Sequence, residues 1–354
     1  MRARQPARLL FVPVSGAHGM GEYARSLAIA QAVSRNWPDA VVHFILSRQA
    51  PYAAAPPFPV TLVDSSPTFH TAAVIEALER LVPDVVIFDN AGRTAQLRAA
   101  RRLGARVVYI SSRPRQRRKA FRLTWMRMID EHWIAYPEFL AGGLSFFERA
   151  KLKCLGRPAV RFLDVVMSRA GPPGAALARA GFAAGSYVLV VPGGGTGHPG
   201  APAALGAFLA AARGLAARRV PTVYVGPSVL VAADAAAMDF WRPLGSLSQG
   251  ELGELMRSAR LIVTNGGSTL LQAIACGRPC IAVPIAKDQM VRARSCIAAG
   301  VAVAAGPDAQ SILHRAEQLW ANEGERRLLA ERTEQLGLQD GIETALRALN
   351  RILG

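Results

Sequence analysis

The chain alternates short apolar runs with helical patterns, and it does so twice. In the first half the strand-like runs are 9–14, 41–46, 60–63, 85–88, 107–110 and 134–136. In the second half they are 187–191, 222–225, 261–263, 280–283 and 301–304. Near-continuous apolar strands between helices indicate parallel sheets that are covered on both faces. The sequence therefore predicts an α/β fold with two doubly wound, Rossmann-like domains facing each other across a cleft.

The length supports this division, because 354 residues are too many for one compact core and 51% of them are hydrophobic. The run Gly171–Pro172–Pro173–Gly174 interrupts the pattern just before it restarts, which predicts a linker near 158–174. We expect an N-terminal domain over 1–160 and a second domain over 161–338. A C-terminal helix over 339–354 is expected to pack back on the first domain.

No apolar run reaches the roughly 20 residues of a transmembrane helix. The basic N-terminus with its short apolar run is interpreted as a first buried strand rather than a signal peptide. The four cysteines, Cys154, Cys276, Cys280 and Cys296, lack paired metal-ligand spacing. We interpret them as buried thiols in a reducing cytoplasm.

A formal charge of +17 favours anionic partners. The chain is rich in Arg throughout, but the basic residues cluster in Arg113–Arg122, RPRQRRKAFR. An apolar segment with Trp125 follows on what is predicted to be one helix. This helix is either a solvated surface helix that packs on the sheet or a peripheral membrane patch. A nucleic-acid site ranks last, because no recognition motif accompanies the charges. The candidate acceptor or membrane residues are Arg115, Arg117, Arg118, Lys119 and Trp125.

Three segments of the second half carry polar side chains after a strand, and two of them also contain glycines. The turn Asn265–Gly266–Gly267 lies between a strand and a helix that begins at Ser268, so backbone N–H groups and a positive helix end meet at one point. Such a point is suited to an anion, most often a phosphate. The loops 193–198, GGGTGH, and 287–289, KDQ, also follow strands and are expected at the same sheet edge.

In the first half, polar residues follow two predicted strands, at 15–22 and at 89–90. His18 and Glu22 are either ordinary loop and helix-start residues or general bases. Asp89 is either a base, the partner that orients one, or simply the polar end of a strand.

These motifs, in this order, resemble the GT-B glycosyltransferases, especially the peptidoglycan N-acetylglucosaminyltransferase (MurG) group of glycosyltransferase family 28. The chain is also similar to the nucleotide-sugar hydrolase of pseudaminic acid synthesis. The segments that carry the resemblance are GMGEYARSLAIA at 19–30, LGRPAVRFLD at 155–164, GGGTG at 193–197, WRPLGS at 241–246 and GGST through KDQ at 266–289.

The resemblance implies that the second domain binds a nucleotide-diphosphate sugar, usually a uridine one, and that the first binds the acceptor. The implied donor residues are Gly193, Gly194, Gly195, Thr196, His198, Leu244, Gly266, Gly267, Ser268, Thr269, Gln272, Asp288 and Gln289. No metal or other cofactor is implied, because helix ends and side-chain donors can stabilise the leaving diphosphate.

Two positions depart from the family pattern. Glu22 stands where the family commonly has histidine, so the base is Glu22, Asp89 or His18. Gln272 stands where the family has a glutamate that holds the ribose, and an amide is the weaker partner of a hydroxyl.

The first hypothesis is an inverting, metal-independent transferase of hexose or N-acetylhexosamine. Its acceptor is a lipid-linked or surface-polysaccharide precursor at the inner face of the cytoplasmic membrane. The alternatives are a nucleotide-sugar hydrolase or epimerase of the same fold, and a binder without catalytic activity.

Overall fold

The structure is a computed structural model that describes residues 6–17, 20–168, 174–193, 201–227 and 239–354. The chain divides into two compact units. Unit 1 comprises Met1–Val166 and Gln339–Gly354, and unit 2 comprises Met167–Leu338.

Unit 1 is built on seven strands, β1 (Arg8–Pro13), β2 (Val41–Ser47), β3 (Val60–Val63), β4 (Val85–Asp89), β5 (Arg106–Ser111), β6 (Glu131–Ile134) and β7 (Ala159–Phe162). They form one parallel sheet in the order β3-β2-β1-β4-β5-β6-β7. Its helices are α1 (Gly21–Asn36), α2 (Thr71–Leu81), α3 (Thr94–Arg102), α4 (Pro114–Ala120), α5 (Leu123–Met126), α6 (Glu138–Ala141) and α7 (Phe146–Leu155).

The described strands of unit 2 are β8 (Val188–Val191), β9 (Thr222–Val225), β10 (Trp241–Leu244), β11 (Leu261–Thr264), β12 (Cys280–Ala282) and β13 (Val303–Ala304). They form a parallel sheet in the order β10-β9-β8-β11-β12-β13. The described helices are α8 (Ala175–Ala180), α9 (Ala201–Ala217), α10 (Gln249–Ser258), α11 (Ser268–Ala275), α12 (Lys287–Ala298), α13 (Ala309–Ala321) and α14 (Glu323–Gln335).

A last helix, α15 (Gly341–Leu353), belongs to unit 1. Ala345 and Leu349 join the core that lies under β1, and Ile342 packs with Ala28 and Ala32 of α1. The division between the units falls after Val166. The sequence predicts this boundary after residue 160.

The central strands bury both of their faces, as the sequence pattern predicts. Leu9 and Phe11 of β1 belong to one core cluster, whereas Leu10 and Val12 belong to the cluster on the opposite face. Because side chains alternate across a strand, a strand that is apolar at every position requires helices on both sides. The predicted α/β fold with two parallel, helix-covered sheets is therefore confirmed.

Each sheet reverses its strand order once. In unit 1 the reversal lies between β1 and β4, and in unit 2 it lies between β8 and β11. Loops that leave the carboxyl ends of two such strands diverge to opposite faces and leave a crevice, where ligands of doubly wound sheets bind. These two sheet edges are the places to look for a functional site.

Four details of the sequence-based fold are corrected. The sixth strand is Glu131–Ile134, not 134–136, because Glu131 is buried as the ion-pair partner of Arg161. Strands β7 and β10 were not predicted. The single helix expected across 113–129 is two short helices, α4 and α5, with Phe121 and Arg122 between them.

In the described parts of the chain, no helix combines the length and the apolar character needed to cross a bilayer.

Candidate functional site

The loops after β8 and β11 touch at the order reversal of unit 2. Gly193 has a left-handed backbone with φ of +80°, and a Cβ on it would lie 2.5 Å from Nδ2 of Asn265. Asn265 is 2% exposed, and its Oδ1 accepts a hydrogen bond of 2.9 Å from the N–H of Gly267. Asn265 therefore fixes the turn that leads into α11, and only glycine fits beside it at position 193.

Helix α11 begins without a side-chain cap. Its N-cap residue is Gly267, which has no side chain to accept a hydrogen bond from the first turn. The first N–H groups of a helix lack partners within the helix and carry the positive end of its dipole. Ser268 is exposed and Thr269 is half-buried, so their hydroxyls lie at the same helix end. This end is suited to an anion such as phosphate.

Residues of α12 support the turn from the other side. A Cβ on Gly266 would lie 2.6 Å from the carbonyl oxygen of Gln289, and Nη1 of Arg292 donates to the carbonyl of Gly266 at 2.7 Å. The side chain of Gln289 is buried, and its Oε1 accepts from the N–H of Ile285 at 3.0 Å. This hydrogen bond fixes the loop before α12. The contact of Gln289 with sugar hydroxyls that the resemblance implies stays a prediction.

Three other implied donor residues occupy separate positions of unit 2. Asp288 is exposed in the first turn of α12, and Gln272 is half-buried on α11. Leu244 ends β10, and its carbonyl accepts from the N–H of Gly226 at 3.3 Å. Gly194, Gly195, Thr196 and His198 lie outside the described residues, and so does His18 of unit 1.

In unit 1, Asp89 ends β4 and is held by Arg25 of α1. Nε and Nη2 of Arg25 donate to the two carboxylate oxygens of Asp89 at 2.9 and 2.6 Å, and Oγ of Ser26 donates at 3.3 Å. The Asp89 side chain is fully buried, and that of Arg25 is 11% exposed. A buried, bidentate pair of this kind is costly to break from either side.

The environment of Asp89 argues against its role as a base. Burial raises the pKa of Asp89 to about 6, and Arg25 opposes this rise. Both carboxylate oxygens are occupied by Arg25, and the side chain is fully buried, so neither oxygen can reach the hydroxyl of an acceptor substrate. Of the two functional roles considered for Asp89, the structure favours the one that orients neighbouring groups.

Glu22 has a different environment. Its Oε1 accepts from Nδ2 of Asn90 at 2.9 Å and from Nη2 of Arg113 at 3.2 Å, and its side chain is 14% exposed. Asn90 has a left-handed φ of +53°, and its side chain also contacts the N–H and hydroxyl of Ser112. Both described donors bind Oε1, which leaves Oε2 to accept a hydrogen bond from a ligand.

Several of these partners were not predicted. Arg25 lies three residues after Glu22, so the i, i+3 spacing on one helix would have placed them on one face. Arg292 lies four residues after Asp288 on α12, which is the same kind of signal. Arg113 was noted only as part of a basic run, and no sequence spacing links it to Glu22.

The basic segment is bound to the rest of unit 1 at several points, as the alternative of a surface helix that packs on the sheet requires. Trp125 is 1% exposed and its indole N–H donates to Thr94, while Lys119 donates to the carbonyl of Gly92 and lies 4.1 Å from the Trp125 ring centre. Arg117 binds both oxygens of Glu148. Trp125 therefore cannot enter a membrane in this conformation, whereas Arg115 and Arg118 are exposed.

The cysteines differ in exposure. Cys154 on α7 is exposed, contrary to the expectation of four buried thiols, because α7 buries none of its side chains. Cys280 and Cys296 are buried. Burial raises the pKa of Cys276 to about 11 and that of Cys296 to about 12.

No model of a known protein family matches the chain, and no curated protein does. Solved structures match it over nearly its whole length. MurG from Acinetobacter baumannii is 15% identical with a TM-score of 0.62, covering 98% of this chain and 100% of that one. UGT2 from Phytolacca americana, complexed with UDP-2-fluoro-glucose and pterostilbene, is 14% identical with a TM-score of 0.67, with coverage of 98% and 100%.

A UDP-N-acetylglucosamine 2-epimerase also matches, with 14% identity and a TM-score of 0.54, covering 92% of this chain and 90% of that one. At these identities the likeness concerns the fold. The chain has the GT-B fold that MurG and other glycosyltransferases share.

Proposed function

We propose that the protein is a glycosyltransferase that binds a nucleotide-diphosphate sugar in unit 2 and transfers the sugar to an acceptor held by unit 1. The observation that carries the proposal is the contact between Gly193 and Asn265 beside the uncapped start of α11. This arrangement presents backbone N–H groups without an intervening side chain, as a diphosphate requires.

The loop itself is already fixed before any ligand binds. Asn265 uses its Oδ1 on Gly267, and Arg292 places a cation on the carbonyl of Gly266. Donors that are held in place stabilise a leaving diphosphate without reorganisation during the reaction. Ser268 and Thr269 would add hydroxyl donors, and the loop 194–198 is proposed as the second half of the diphosphate site.

The base and sugar of the donor belong to the same proposal. Backbone groups near Leu244 would contact the base, Gln272 a ribose hydroxyl, and Asp288 the sugar. Neighbours of the same fold are described with UDP-2-fluoro-glucose and with thymidine diphosphate. A uridine donor is the working assignment, with hexosyl and N-acetylhexosaminyl transfer both open to test.

Glu22 is the proposed general base. Its Oε2 would accept the proton of an acceptor hydroxyl, and that oxygen would attack the anomeric carbon as the bond to the diphosphate breaks. The new bond then forms on the opposite face, which inverts the configuration. Asn90 and Arg113 hold Oε1 and so orient the carboxylate. His18 is the alternative base and is compared with Glu22 in the same assay.

The acceptor is proposed to be a lipid-linked or surface-polysaccharide precursor at the inner face of the cytoplasmic membrane. Exposed Arg115 and Arg118 support an anionic surface as a neighbour. The four unpaired cysteines fit a reducing compartment.

Hydrolysis or epimerisation of a nucleotide sugar is the second candidate, because an epimerase shares the fold. The products separate the candidates. We expect release of nucleoside diphosphate only when an acceptor preparation is added, with the sugar found on the acceptor. Free sugar without acceptor would show a hydrolase, and an altered nucleotide sugar without release of nucleotide would show an epimerase. Failure of every nucleotide sugar to bind would contradict all three.

A further inference from the structure

Two neighbouring aromatic side chains project from unit 1 without any cover. Phe146 and Phe147, the first residues of α7, are 73% and 74% exposed, and their rings form an edge-to-face pair with centres 5.8 Å apart. Exposure of each apolar ring to water costs free energy. A pair of neighbouring exposed rings is therefore typical of a surface that binds a partner or a membrane. None of the ten residues of α7 is buried, so this helix does not serve the core of unit 1.

Hydrogen bonds fix the segment that carries the exposed pair, which is the start of α7 and the residues 141–145 before it. Ser145 caps α7 and forms a capping box with Glu148. Arg117 of α4 binds both carboxylate oxygens of Glu148, at 3.0 and 2.8 Å, and donates to the three carbonyls of 141–143. Lys151 donates to the carbonyl of Phe121, farther along α7. These bonds fix the start of α7 beside α4, so the aromatic pair is held in position before any partner arrives.

Exposed cations lie on α7 itself and on the α4–α5 segment to which α7 is hydrogen-bonded. By helical spacing Phe146, Arg149 and Lys153 lie along one face of α7, and all three are exposed. In the described residues, six exposed cations of this region make no ion pair. They are Arg115, Arg118, Arg122, Arg127, Arg149 and Lys153.

The acidic groups nearby do not balance these cations. Burial opposes ionisation of Glu148, but hydrogen bonds from Arg117 and Ser145 outweigh it and lower the pKa of the carboxyl. The negative charge of Glu148 is therefore balanced by Arg117 and does not offset the other cations. Glu138, near Gly143, is the remaining exposed carboxylate of this region. The surface therefore combines two exposed rings, the half-exposed Leu123 and an excess of positive charge.

We propose that unit 1 docks on an anionic lipid surface, with Phe146 and Phe147 inserted at the bilayer interface and the six cations on lipid phosphates. Aromatic side chains beside arginine and lysine are the combination that interfacial segments use. This docking rests on the proposed function only in one respect, since the proposed lipid-linked acceptor is the reason for the protein to approach a membrane. It also replaces Trp125, which is buried, by side chains that can reach lipid.

Sedimentation with vesicles tests the proposal. The parent protein should bind vesicles of phosphatidylglycerol and phosphatidylcholine, and much less those of phosphatidylcholine alone. Phe146→Ser with Phe147→Ser should weaken binding about tenfold or more. Phe69→Ser is the matched control, because Phe69 is 71% exposed elsewhere in unit 1 and should leave binding unchanged. Phe146→Leu with Phe147→Leu should restore most of the binding.

The cations have a separate arm. Arg115→Ser with Arg118→Ser should weaken binding roughly fivefold for each charge and reduce its salt dependence. Arg117 and Lys119 are left intact, because they hold the structure together.

The exposed thiol of Cys154 on α7 can carry a dye that reports contact with lipid. Cys154 lies seven residues after Phe147, about 10 Å along the helix axis. An environment-sensitive dye on its thiol should shift to the blue with anionic vesicles, and the shift should vanish in the double serine variant.

The proposal is overturned if the double serine variant binds as tightly as the parent, or if Phe69→Ser causes the same loss. It is also overturned if the parent binds no vesicles but forms a dimer that the double serine variant abolishes. Nucleoside-diphosphate binding by the same preparations tests the proposed function separately. Nucleotide binding without vesicle binding contradicts this inference alone, and vesicle binding without nucleotide binding contradicts the proposed function alone.

Discussion

Gly193 lies so close to Asn265 that a Cβ on the glycine would be 2.5 Å from the asparagine amide nitrogen. The contact joins the loop after β8 to the loop after β11, at the order reversal of the unit 2 sheet. Asn265 in turn fixes the N–H of Gly267 at the start of α11. A change at Gly193 should therefore disturb the helix start as well as the loop.

The contact predicts a difference between two glycine substitutions. Gly193→Ala should lower the free energy of unfolding by more than Gly185→Ala. Both glycines have a positive φ, but a Cβ at Gly185 would meet nothing within 4 Å. Gly185→Ala should therefore show only the backbone cost, about 1–2 kcal/mol, and Gly193→Ala that cost plus the clash. Urea denaturation measures both, and equal losses would show that the clash is absent.

The Arg25–Asp89 pair predicts a strong, non-additive effect on stability. Asp89→Asn should lower the free energy of unfolding by about 3–5 kcal/mol, because it leaves a buried guanidinium without its partner. The double variant Arg25→Gln with Asp89→Asn should recover part of this loss, which a double-mutant cycle in urea would measure. If Asp89→Asn instead keeps its stability and loses all turnover, Asp89 is the base and our assignment is wrong.

If Glu22 is the general base, its substitution should lower kcat without changing the affinity for the donor. Glu22→Gln should reduce kcat by about 10²–10⁴ and leave the donor affinity unchanged, since the amide cannot accept the acceptor proton. Glu76→Gln, an exposed glutamate on α2, is the control and should behave as the parent. His18→Gln is measured in parallel. A large loss with His18→Gln and none with Glu22→Gln would transfer the role to histidine.

Lys119 predicts a titration near Trp125. Burial, helped by Arg93, Arg122 and Arg115, lowers the pKa of Lys119 to about 8, and Nζ lies 4.1 Å from the Trp125 ring centre. Trp emission should therefore titrate near pH 8 in the parent but not in Lys119→Met. Because the folded pKa is below the unfolded value of roughly 10.4, the parent should gain stability as pH rises from about 8 to 10. An unchanged titration in Lys119→Met would contradict this assignment.

Periodicity was sufficient to predict the central strands. Strands such as β1 and β4 are apolar at nearly every position, so their burial can be read without knowledge of their neighbours. The edge strands could not be read in this way. In β7 no residue is fully buried, and in β10 Pro243 argues against a strand unless it lies at an edge.

The same limit applies to the site. The glycine-rich turn before α11 could be recognised from the sequence. Few residues other than glycine allow a strand to turn directly into a helix over so short a segment. The role of Asp89 could not be recognised in this way, since its meaning depends on Arg25, which lies 64 residues away in sequence. Likewise, Trp125 looked available for a membrane until its contact with Thr94 was known. Pairings between distant elements decide these roles, and no local pattern encodes them.

We propose that the Gly193–Asn265 edge of unit 2 holds a nucleoside diphosphate. The most direct test is a thermal-shift panel of uridine, thymidine, guanosine, adenosine and cytidine diphosphates on the parent, Gly185→Ala and Gly193→Ala. A bound ligand at a hundred times its Kd stabilises the folded protein by about 2.7 kcal/mol. We predict that one of the five nucleoside diphosphates raises the Tm of the parent and of Gly185→Ala. The same ligand should not raise the Tm of Gly193→Ala. A panel in which no diphosphate raises the Tm of the parent, or in which Gly193→Ala responds as the parent does, would contradict the claim.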